Sequence, residues 1–223
     1  YRMYGCFIPL QKRDVLRHLE RKFHTDFKVI KSQTVIVQKP VPSFQVVYKK
    51  HTLTLDDLST LADQNWLNDQ VINMYGELIL ESSHHQVHFL NSFFHRQLMT
   101  KVDLFSKSLL LVPIHLEVHW CLVTADIEKK KICLYDSQGN ALQKVNILKY
   151  LMTEAKEKQH TDFESGWEII PQQTNENDCG VFILEYSRCL ALAKPLQFSQ
   201  RDIPKIRKRI YKELCDCKLH EQP

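Results

Sequence analysis

A cysteine with the surroundings of a nucleophile stands where a polar run gives way to an apolar one. The stretch 171–184 reads PQQTNENDCGVFIL, and its apolar part continues to Ala193. This pattern predicts a loop that delivers Cys179 to the first turn of a buried helix. A helix N-terminus carries partial positive charge and unpaired N–H groups, which favour a thiolate over a thiol and can hold an oxyanion. We therefore predict that Cys179 is a catalytic nucleophile.

A cysteine nucleophile needs a base, and the base needs an orienting partner. The apolar segments Val118–Thr124 and Lys131–Tyr135 flank a polar turn, which predicts a β-hairpin. His119 and Asp136 are nearly equidistant from a turn centre between residues 127 and 128. Such a register places the two residues opposite each other, with Cα atoms about 5 Å apart. We predict that Asp136 holds the imidazole of His119 in the tautomer that catalysis needs.

The polar loop before the cysteine contains a further candidate. Gln173 precedes Cys179 by six residues, so the loop can curl back over the thiol. The side-chain amide can donate to an oxyanion, together with the backbone N–H of Cys179. We predict that Gln173 forms half of an oxyanion hole.

Simpler interpretations of these residues stay open on the residues alone. A free cysteine is most often buried and inert, and one histidine among 11 is most often a core or surface residue. His115, Glu117 and His119 suggest a zinc site, but their order is His-x-Glu-x-His on a predicted strand, so we expect no metal. The basic run 205–212 could bind nucleic acid, and we interpret it instead as the solvated face of a helix.

The elements that must position these residues occur in the order helices, strands, helices, which predicts an α+β fold. A helix over Leu10–Phe23 and a strand over Val29–Val37 precede prolines at positions 40 and 42. We therefore expect an N-terminal extension over residues 1–40 and a second domain over residues 41–223. In that domain we predict strands at 44–48, 88–94 and 109–113 besides the hairpin strands, and helices starting near Thr54 and over 70–80, 146–156, 181–193 and 204–215.

Composition narrows the class of protein. The chain has 223 residues, of which 43% are hydrophobic and 25% are charged, as in ordinary globular proteins. No run approaches the roughly 18 apolar residues of a membrane span, so we expect no membrane association. The seven cysteines are odd in number and scattered, which favours a reducing compartment such as the cytosol or nucleus over a disulfide framework. A net charge of +4 is too small to indicate nucleic acid binding by itself.

Four blocks of the sequence, in order, resemble a known family. The blocks NWLNDQVIN, FLNSFFHRQL, VPIHLEVHWCLV with LYDSQG, and PQQTNENDCGVF are similar to those of the sentrin (SUMO)-specific cysteine proteases, over about residues 42–218. Three stretches of sequence resemble the nucleolar branch of that family: VPSFQVVYKK, FFHRQL and QFSQRDIPKIRKRIYKELCDC. The chain is shorter than the family pattern near 100–102, 143–146 and 168–171.

The resemblance assigns roles residue by residue. It places the family's catalytic histidine, aspartate and cysteine on His119, Asp136 and Cys179, and its oxyanion glutamine on Gln173. Further positions are implied to bind the substrate. The two tryptophans that cover the narrow Gly-Gly tail in the family fall on Trp66 and Trp120. The contacts to the globular body of SUMO fall on Asp69, on Phe93 or Phe94, and on His115.

The resemblance also implies a fold, a reaction and a setting. It implies a papain-like, ubiquitin-like-protease fold with a central mixed sheet and no cofactor. It implies a monomer that processes SUMO precursors and deconjugates SUMO from lysine side chains, with a preference for SUMO-2/3 and a nucleolar location. A protease for another ubiquitin-like modifier, an idle SUMO-binding module and a basic nucleic-acid-binding domain are the competing hypotheses.

Overall fold

The computed structural model describes residues 44–83, 87–92, 107–116, 118–139, 152–153, 156–157, 162–167 and 169–220. The chain divides into two compact units, Tyr1–Phe44 and Gln45–Pro223, and the described helices and strands lie in the second. The helix and strand predicted within residues 1–40, and the boundary at residue 40, lie outside the described residues. So do most of the predicted helix 146–156 and most of the segments that are short relative to the family.

The described residues include four α-helices and one short 3₁₀ helix with defined ends. They are α1 Leu55–Ser59, α2 Asp69–Ser82, α3 Cys179–Ala191, the 3₁₀ helix Gln200–Asp202 and α4 Ile203–Asp216. Polar side chains cap the N-termini of two of them. Thr54 and Asp57 form a reciprocal capping box on α1, and the Asn68 side chain accepts from the N–H of Val71 on α2.

Among the residues that the structure describes, seven strands form two sheets, which confirms the α+β class. The strands are β1 Gln45–Tyr48, β2 His51–Thr54, β3 Val87–Phe89, β4 Leu109–Leu116, β5 His119–Asp126, β6 Lys131–Tyr135 and β7 Glu164–Trp167. β1 and β2 form an antiparallel pair, and the other five follow the order β3-β4-β5-β6-β7. The larger sheet is mixed, because β3–β4 and β6–β7 are parallel while β4–β5 and β5–β6 are antiparallel. β2 and β7 were not predicted.

The predicted register of the β5–β6 hairpin is wrong by two residues. Asp126 faces Lys131 and Leu122 faces Tyr135, so the turn is centred between residues 128 and 129. The sequence pattern assigned Ala125 and Asp126 to the turn because Asp126 begins a charged run, whereas both residues belong to β5 and Ala125 is buried. Continued by one residue, this register sets Asp136 opposite Cys121 and not opposite His119.

The larger sheet has a buried cluster on each face. One cluster joins β4, β5 and β6 side chains to α2, α3 and α4, and includes Trp120, Leu122 and Phe182. The other includes Val123 and Leu134 and packs with Phe163. Nearly all of α3 is buried, as its apolar sequence predicts. No helix among the described residues is long and apolar enough to cross a bilayer.

The interpretation of the basic run 205–212 as a solvated face is wrong for two of its arginines. Arg207 is 2% exposed, and the Arg209 side chain forms an ion pair with Glu185 of α3. Glu213 is wholly buried and accepts a hydrogen bond of 2.6 Å from Tyr75 of α2. α4 therefore packs with charged as well as apolar side chains, which the periodicity of its lysines does not reveal.

Candidate active site

The nucleophile candidate lies at the very start of a helix, as the sequence predicted. α3 begins at Cys179, which is wholly buried. The carbonyl of Asp178 accepts the first hydrogen bonds of the helix, from the N–H groups of Val181 and Phe182. The N–H groups of Cys179 and Gly180 precede those bonds, so they are the donors that a helix N-terminus leaves without an intrahelical acceptor.

Close packing at this helix end requires glycine. A Cβ atom placed on Gly180 would lie 2.9 Å from Cβ of Leu67 and 3.3 Å from Cδ1 of Trp120. Gly180 therefore lets the first turn of α3 approach both residues, which brings Cys179 against β5 and the segment before α2.

The base and its orienting carboxylate meet despite the corrected register. Nε2 of His119 lies 2.7 Å from Oδ1 of Asp136, and that oxygen also accepts from the N–H of Gln138 at 3.1 Å. The two residues occupy diagonal positions on one face of the hairpin, where long side chains still reach each other. In the neutral imidazole Nε2 carries the proton toward the carboxylate, which leaves Nδ1 as the basic nitrogen.

The surroundings of His119 favour its charged form. Burial lowers the pKa of His119, but hydrogen bonding to Asp136 and to the thiols of Cys121 and Cys179 outweighs it and raises the pKa to about 11. The imidazolium is therefore the resting form at neutral pH. Among the described residues, no partner meets full hydrogen-bond geometry at the buried Nδ1. That nitrogen is thus the one placed to exchange a proton with the reacting groups.

A second thiol lies beside the base, and the sequence reasoning missed it. The ligand atoms of His119, Cys121 and Asp136 all lie within 4.8 Å of one another. Period-two alternation along β5 puts Cys121 on the face of His119, and that signal could have found it. These residue types can ligate zinc. Here Nε2 of His119 and Oδ1 of Asp136 are hydrogen-bonded directly to each other, which is the arrangement of an oriented base.

His115, from the His-x-Glu-x-His run for which we expect no metal, packs against an aromatic ring. His115 stacks on Trp120 with ring centroids 4.1 Å apart and an angle of 5° between the planes. It does not belong to the group of possible ligands around His119 within the part of the chain that the structure describes. Glu117 lies outside the described residues.

The candidate oxyanion residue is held by a buried serine. The Ser137 hydroxyl donates to Oε1 of Gln173, and the N–H of Gln173 donates to the Ser137 carbonyl at 2.9 Å. Nε2 of Gln173 donates to the carbonyl of Asn175 at 2.5 Å and carries a second N–H. Ser137 is wholly buried, so it fixes which way the amide points. Ser137 follows Asp136 directly in the chain, so it links the residue that orients His119 to the loop that contains Gln173.

The two tryptophans differ in exposure but approach the same helix end. Trp66 is 52% exposed, and its Nε1 donates to the carbonyl of Glu176 at 2.9 Å. Trp120 is 1% exposed, and its Nε1 donates to the carbonyl of Leu67 at 3.1 Å. The segment Trp66–Leu67 thus bridges the loop before Cys179 and the strand that carries His119.

The start of α2 carries the acidic candidate. Asp69 is the first residue of α2 and is half-buried, and its Oδ1 accepts from the Ser92 hydroxyl at 2.8 Å. Asn73, one turn further along, accepts from the Ser92 N–H at 2.8 Å and donates to the Ser92 hydroxyl at 3.0 Å. Ser92 therefore positions one oxygen of the Asp69 carboxylate. Phe93 and Phe94, the next residues, lie outside the described residues.

Together these groups form a site for acyl transfer. The thiol lies at a helix N-terminus with backbone N–H groups that have no intrahelical acceptor, and it interacts with an imidazole that Asp136 orients. The preceding loop carries the side-chain amide of Gln173. These are the parts that a cysteine nucleophile, its base and an oxyanion hole require.

Comparison with known families decides the kinship of this site. Residues 65–219 match the model of the Ulp1 protease family, C-terminal catalytic domain. The chain belongs to the Ulp1 protease family. The match spans every predicted site residue, from Trp66 to Cys179.

Curated relatives place the chain within the family. It is 50% identical over 243 residues to sentrin-specific protease 5 of Homo sapiens, with 97% of this chain and 32% of that protein covered. It is 43% identical over 245 residues to sentrin-specific protease 3 of Homo sapiens, with 97% of this chain and 43% of that protein covered. The resemblance predicted from the wording of the blocks, which points to sentrin-specific protease 5 first and protease 3 next, is confirmed. The chain spans about a third of the length of the first of these relatives.

Solved structures confirm the fold. The SUMO protease Ulp1 with its catalytic cysteine oxidized to a sulfenic acid superposes with a TM-score of 0.68 at 26% identity, covering 78% of this chain and 88% of that one. The Ulp1 protease domain in complex with Smt3, the yeast ortholog of SUMO, superposes with a TM-score of 0.70 at 24% identity, covering 93% and 96%. The predicted ubiquitin-like-protease fold is therefore correct.

Proposed function

We propose that this chain is a SUMO-specific cysteine protease that cleaves after the C-terminal Gly-Gly of SUMO. The observation that carries the proposal is His119, which interacts both with Asp136 and with the thiol of Cys179 at the start of α3. The printed names of the relatives support SUMO as the modifier.

The geometry supports a two-step acyl transfer. Cys179, as a thiolate paired with protonated His119, attacks the carbonyl carbon of the terminal glycine. Gln173 and the N–H of Cys179 donate to the oxyanion. His119 then gives its proton to the leaving amine, which is a lysine ε-amine in deconjugation and an α-amine in precursor processing. Water, deprotonated by His119, attacks the thioester and releases SUMO.

We propose that the two tryptophans select the diglycine tail. Trp66 supplies an exposed indole that donates a hydrogen bond to the carbonyl of Glu176, and Trp120 supplies a buried indole that donates to the carbonyl of Leu67. A passage between two indole rings has room for a backbone without side chains, so only glycine fits at the scissile end. We expect Trp66→Ala to raise KM strongly and to lower the free energy of unfolding only slightly, because its ring is half exposed.

We propose further that Asp69 pairs with a basic residue on the globular body of SUMO, since Ser92 leaves its second carboxylate oxygen to other donors. Phe93, Phe94 and His115 complete this contact in the proposal. His115 lies over Trp120 and so links the body contact to the tail site.

The most informative experiment is a cleavage assay with SUMO paralogues, both as precursors and as lysine isopeptide conjugates, beside ubiquitin and other diglycine-terminated modifiers. We expect cleavage of SUMO substrates by the wild type and none by Cys179→Ser, which should still bind SUMO. Faster cleavage of ubiquitin than of SUMO would show that SUMO is not the preferred modifier. Turnover by Cys179→Ser at the wild-type rate would show that Cys179 is not the nucleophile.

The remaining features of the proposal rest on the family likeness alone. We propose a SUMO-2/3 preference, a monomeric state and a nucleolar location, and no metal or organic cofactor enters the reaction. The same assay measures the paralogue preference, sedimentation measures the oligomeric state, and fluorescence microscopy of the tagged protein in cells locates it.

A further inference from the structure

A buried arginine of α4 contacts both loops that flank the nucleophile. Arg207 is 2% exposed, whereas Lys205, Lys208 and Lys212 of the same helix are exposed. An arginine is almost never this buried unless its donors are paired. The positions of its partners therefore indicate what it does.

The first set of partners belongs to the loop that ends at Cys179. Nε and Nη2 of Arg207 donate to Oδ1 of Asp178 at 3.0 and 2.6 Å, and Nη2 also lies 3.4 Å from the carbonyl of Asn177. The other carboxylate oxygen of Asp178 accepts from Asn175 and from Gln200, each at 2.7 Å. Asp178 does not cap α3 with its side chain, so its carboxylate serves to fix the residue before the nucleophile.

The second set of partners belongs to the segment that leads to Trp66. Nη1 of Arg207 donates to the carbonyls of Thr60 and Ala62 at 3.2 and 3.1 Å, and Nη2 donates to the carbonyl of Asn65 at 2.7 Å. Asn65 precedes Trp66 directly, and the indole of Trp66 reaches across to Glu176 in the first loop. One guanidinium thus binds both loops, and the hydrogen bond from Trp66 to Glu176 links the same two loops a second time.

Arginine is the residue that this position requires. Its fork presents five N–H donors in one plane, and the acceptors here call on all three of its nitrogens. Lysine has three donors on one atom and cannot reach both loops at once. A substitution would leave carbonyl groups of the 60–65 segment unpaired inside the protein.

We propose that Arg207 is a positioning residue for catalysis, which sets the separation between the Trp66 segment and Cys179 and so the width of the passage for the substrate tail. The inference rests on the proposed acyl transfer at Cys179. It goes beyond that function because Arg207 lies on α4, outside every motif to which a role was assigned.

The test compares Arg207→Lys with Arg209→Lys. Arg209 lies on the same helix and forms a buried ion pair with Glu185, but none of its contacts reaches either loop. Both variants should lower the melting temperature. We expect only Arg207→Lys to lower kcat/KM, by about 10- to 100-fold, because small displacements of reacting groups cost this much. Both kcat and KM should change, since nucleophile and passage move together. Equal kcat/KM in the two variants, measured where both are folded, would overturn the proposal.

A second variant keeps the test decisive if Arg207→Lys does not fold. Asp178→Asn retains the side-chain shape and weakens only the bonds on the nucleophile side. We expect it to lower kcat with little change in KM, and an unchanged kcat would refute the proposal.

A substrate-free readout separates this inference from the proposed function. The rate of carbamidomethylation of Cys179 by iodoacetamide, followed by peptide mass spectrometry, reports the reactivity of the thiol in each variant. If the wild type cleaves a modifier other than SUMO, the proposed function fails while the comparison of variants is repeated on that modifier. If the Cys179 rate is the same in Arg207→Lys, Asp178→Asn and the wild type, the positioning role fails whichever substrate is cleaved.

Discussion

In the proposed reaction His119 is the base, and three neighbours favour its charged form. Burial lowers the pKa of His119. The hydrogen bond from its Nε2 to Asp136 and the interactions with the thiols of Cys121 and Cys179 raise the pKa, and their combined effect is the larger. The raised pKa, to about 11, means that the imidazolium can donate to a leaving amine across the whole neutral range. The alkaline limb of the kcat profile should therefore lie at strongly alkaline pH.

Replacement of the orienting carboxylate gives a prediction with a definite sign. Because the hydrogen bond to Asp136 raises the pKa of His119, Asp136→Asn should lower that pKa and move the alkaline limb of the kcat profile to lower pH. The loss of imidazole orientation should also reduce kcat, by as much as about 10⁴-fold at the scale seen for such triads. Steady-state kinetics over a pH series measure both effects. An unchanged alkaline limb would show that Asp136 does not control the base.

Ser137 offers a second prediction at this scale. The Ser137→Ala variant removes the donor to Oε1 of Gln173 and lets the amide rotate away from the oxyanion. We expect kcat to fall with KM nearly constant, because the oxyanion forms only in the transition state. The double variant with Gln173→Ala should lose no more than Gln173→Ala alone. Additive losses in that cycle would assign Ser137 another role.

The residues of the triad could be predicted from the sequence, while those that hold them in place could not. Cys179 was visible from a polar loop that runs into an apolar helix, and His119 and Asp136 from the hairpin between them. Ser137 and Arg207 carry no local signal, because their partners lie 36 residues away in the loop and up to 147 residues away before α2. Such contacts depend on tertiary packing, which a single sequence does not show.

At the scale of elements, the site depends on where β5 and the start of α3 meet. The register of β5 and β6 differs from prediction by two residues, and the shift is harmless because a step of two keeps every side chain on its face. A shift by one residue would have placed Asp136 on the opposite face from His119. The alternation of side-chain direction along β5 and β6, with its period of two, is therefore what preserves the predicted pair.

Gly180 gives the prediction that belongs to this scale. The Gly180→Ala variant would force α3 away from Leu67 and Trp120, since the added Cβ would lie 2.9 Å from Cβ of Leu67. We expect a loss of stability of about 1–3 kcal/mol, as for other overpacked sites, together with a lower kcat because Cys179 moves with the helix end.

Gly76→Ala is the matched control for this prediction. Gly76 also lies in a helix, and a Cβ there would lie 2.0 Å from Cδ1 of Phe89, away from the catalytic groups. It should lower the melting temperature without lowering kcat in the folded enzyme. A normal kcat in folded Gly180→Ala would show that the helix end need not be so close.

At the scale of the whole molecule, every described group of the site belongs to the unit Gln45–Pro223. Its two buried clusters cover both faces of the sheet, and α4 reaches back to the segment before α2 through Arg207. The boundary at residue 40, which the sequence suggests from its prolines at positions 40 and 42, stays a prediction. We propose that this unit is the catalytic domain and that the preceding residues are an extension.

Truncation tests this division. We expect a chain that begins at residue 45 to fold cooperatively and to keep the kcat of the full chain, because the catalytic groups and their described partners are all retained. Thermal unfolding and steady-state kinetics of the two chains make the comparison. Loss of kcat in a folded truncated chain would mean that residues 1–44 belong to the catalytic unit.

The central claim is that Cys179 attacks the C-terminal glycine of SUMO, and a SUMO protein that ends in a thiol-reactive electrophile tests it most directly. Incubated with the chain and analysed by peptide mass spectrometry, the probe should form a single adduct at Cys179. Cys179→Ser should form none, and the matching ubiquitin probe should react far more slowly. An adduct at another of the seven cysteines, or equal labelling by ubiquitin, would contradict the account.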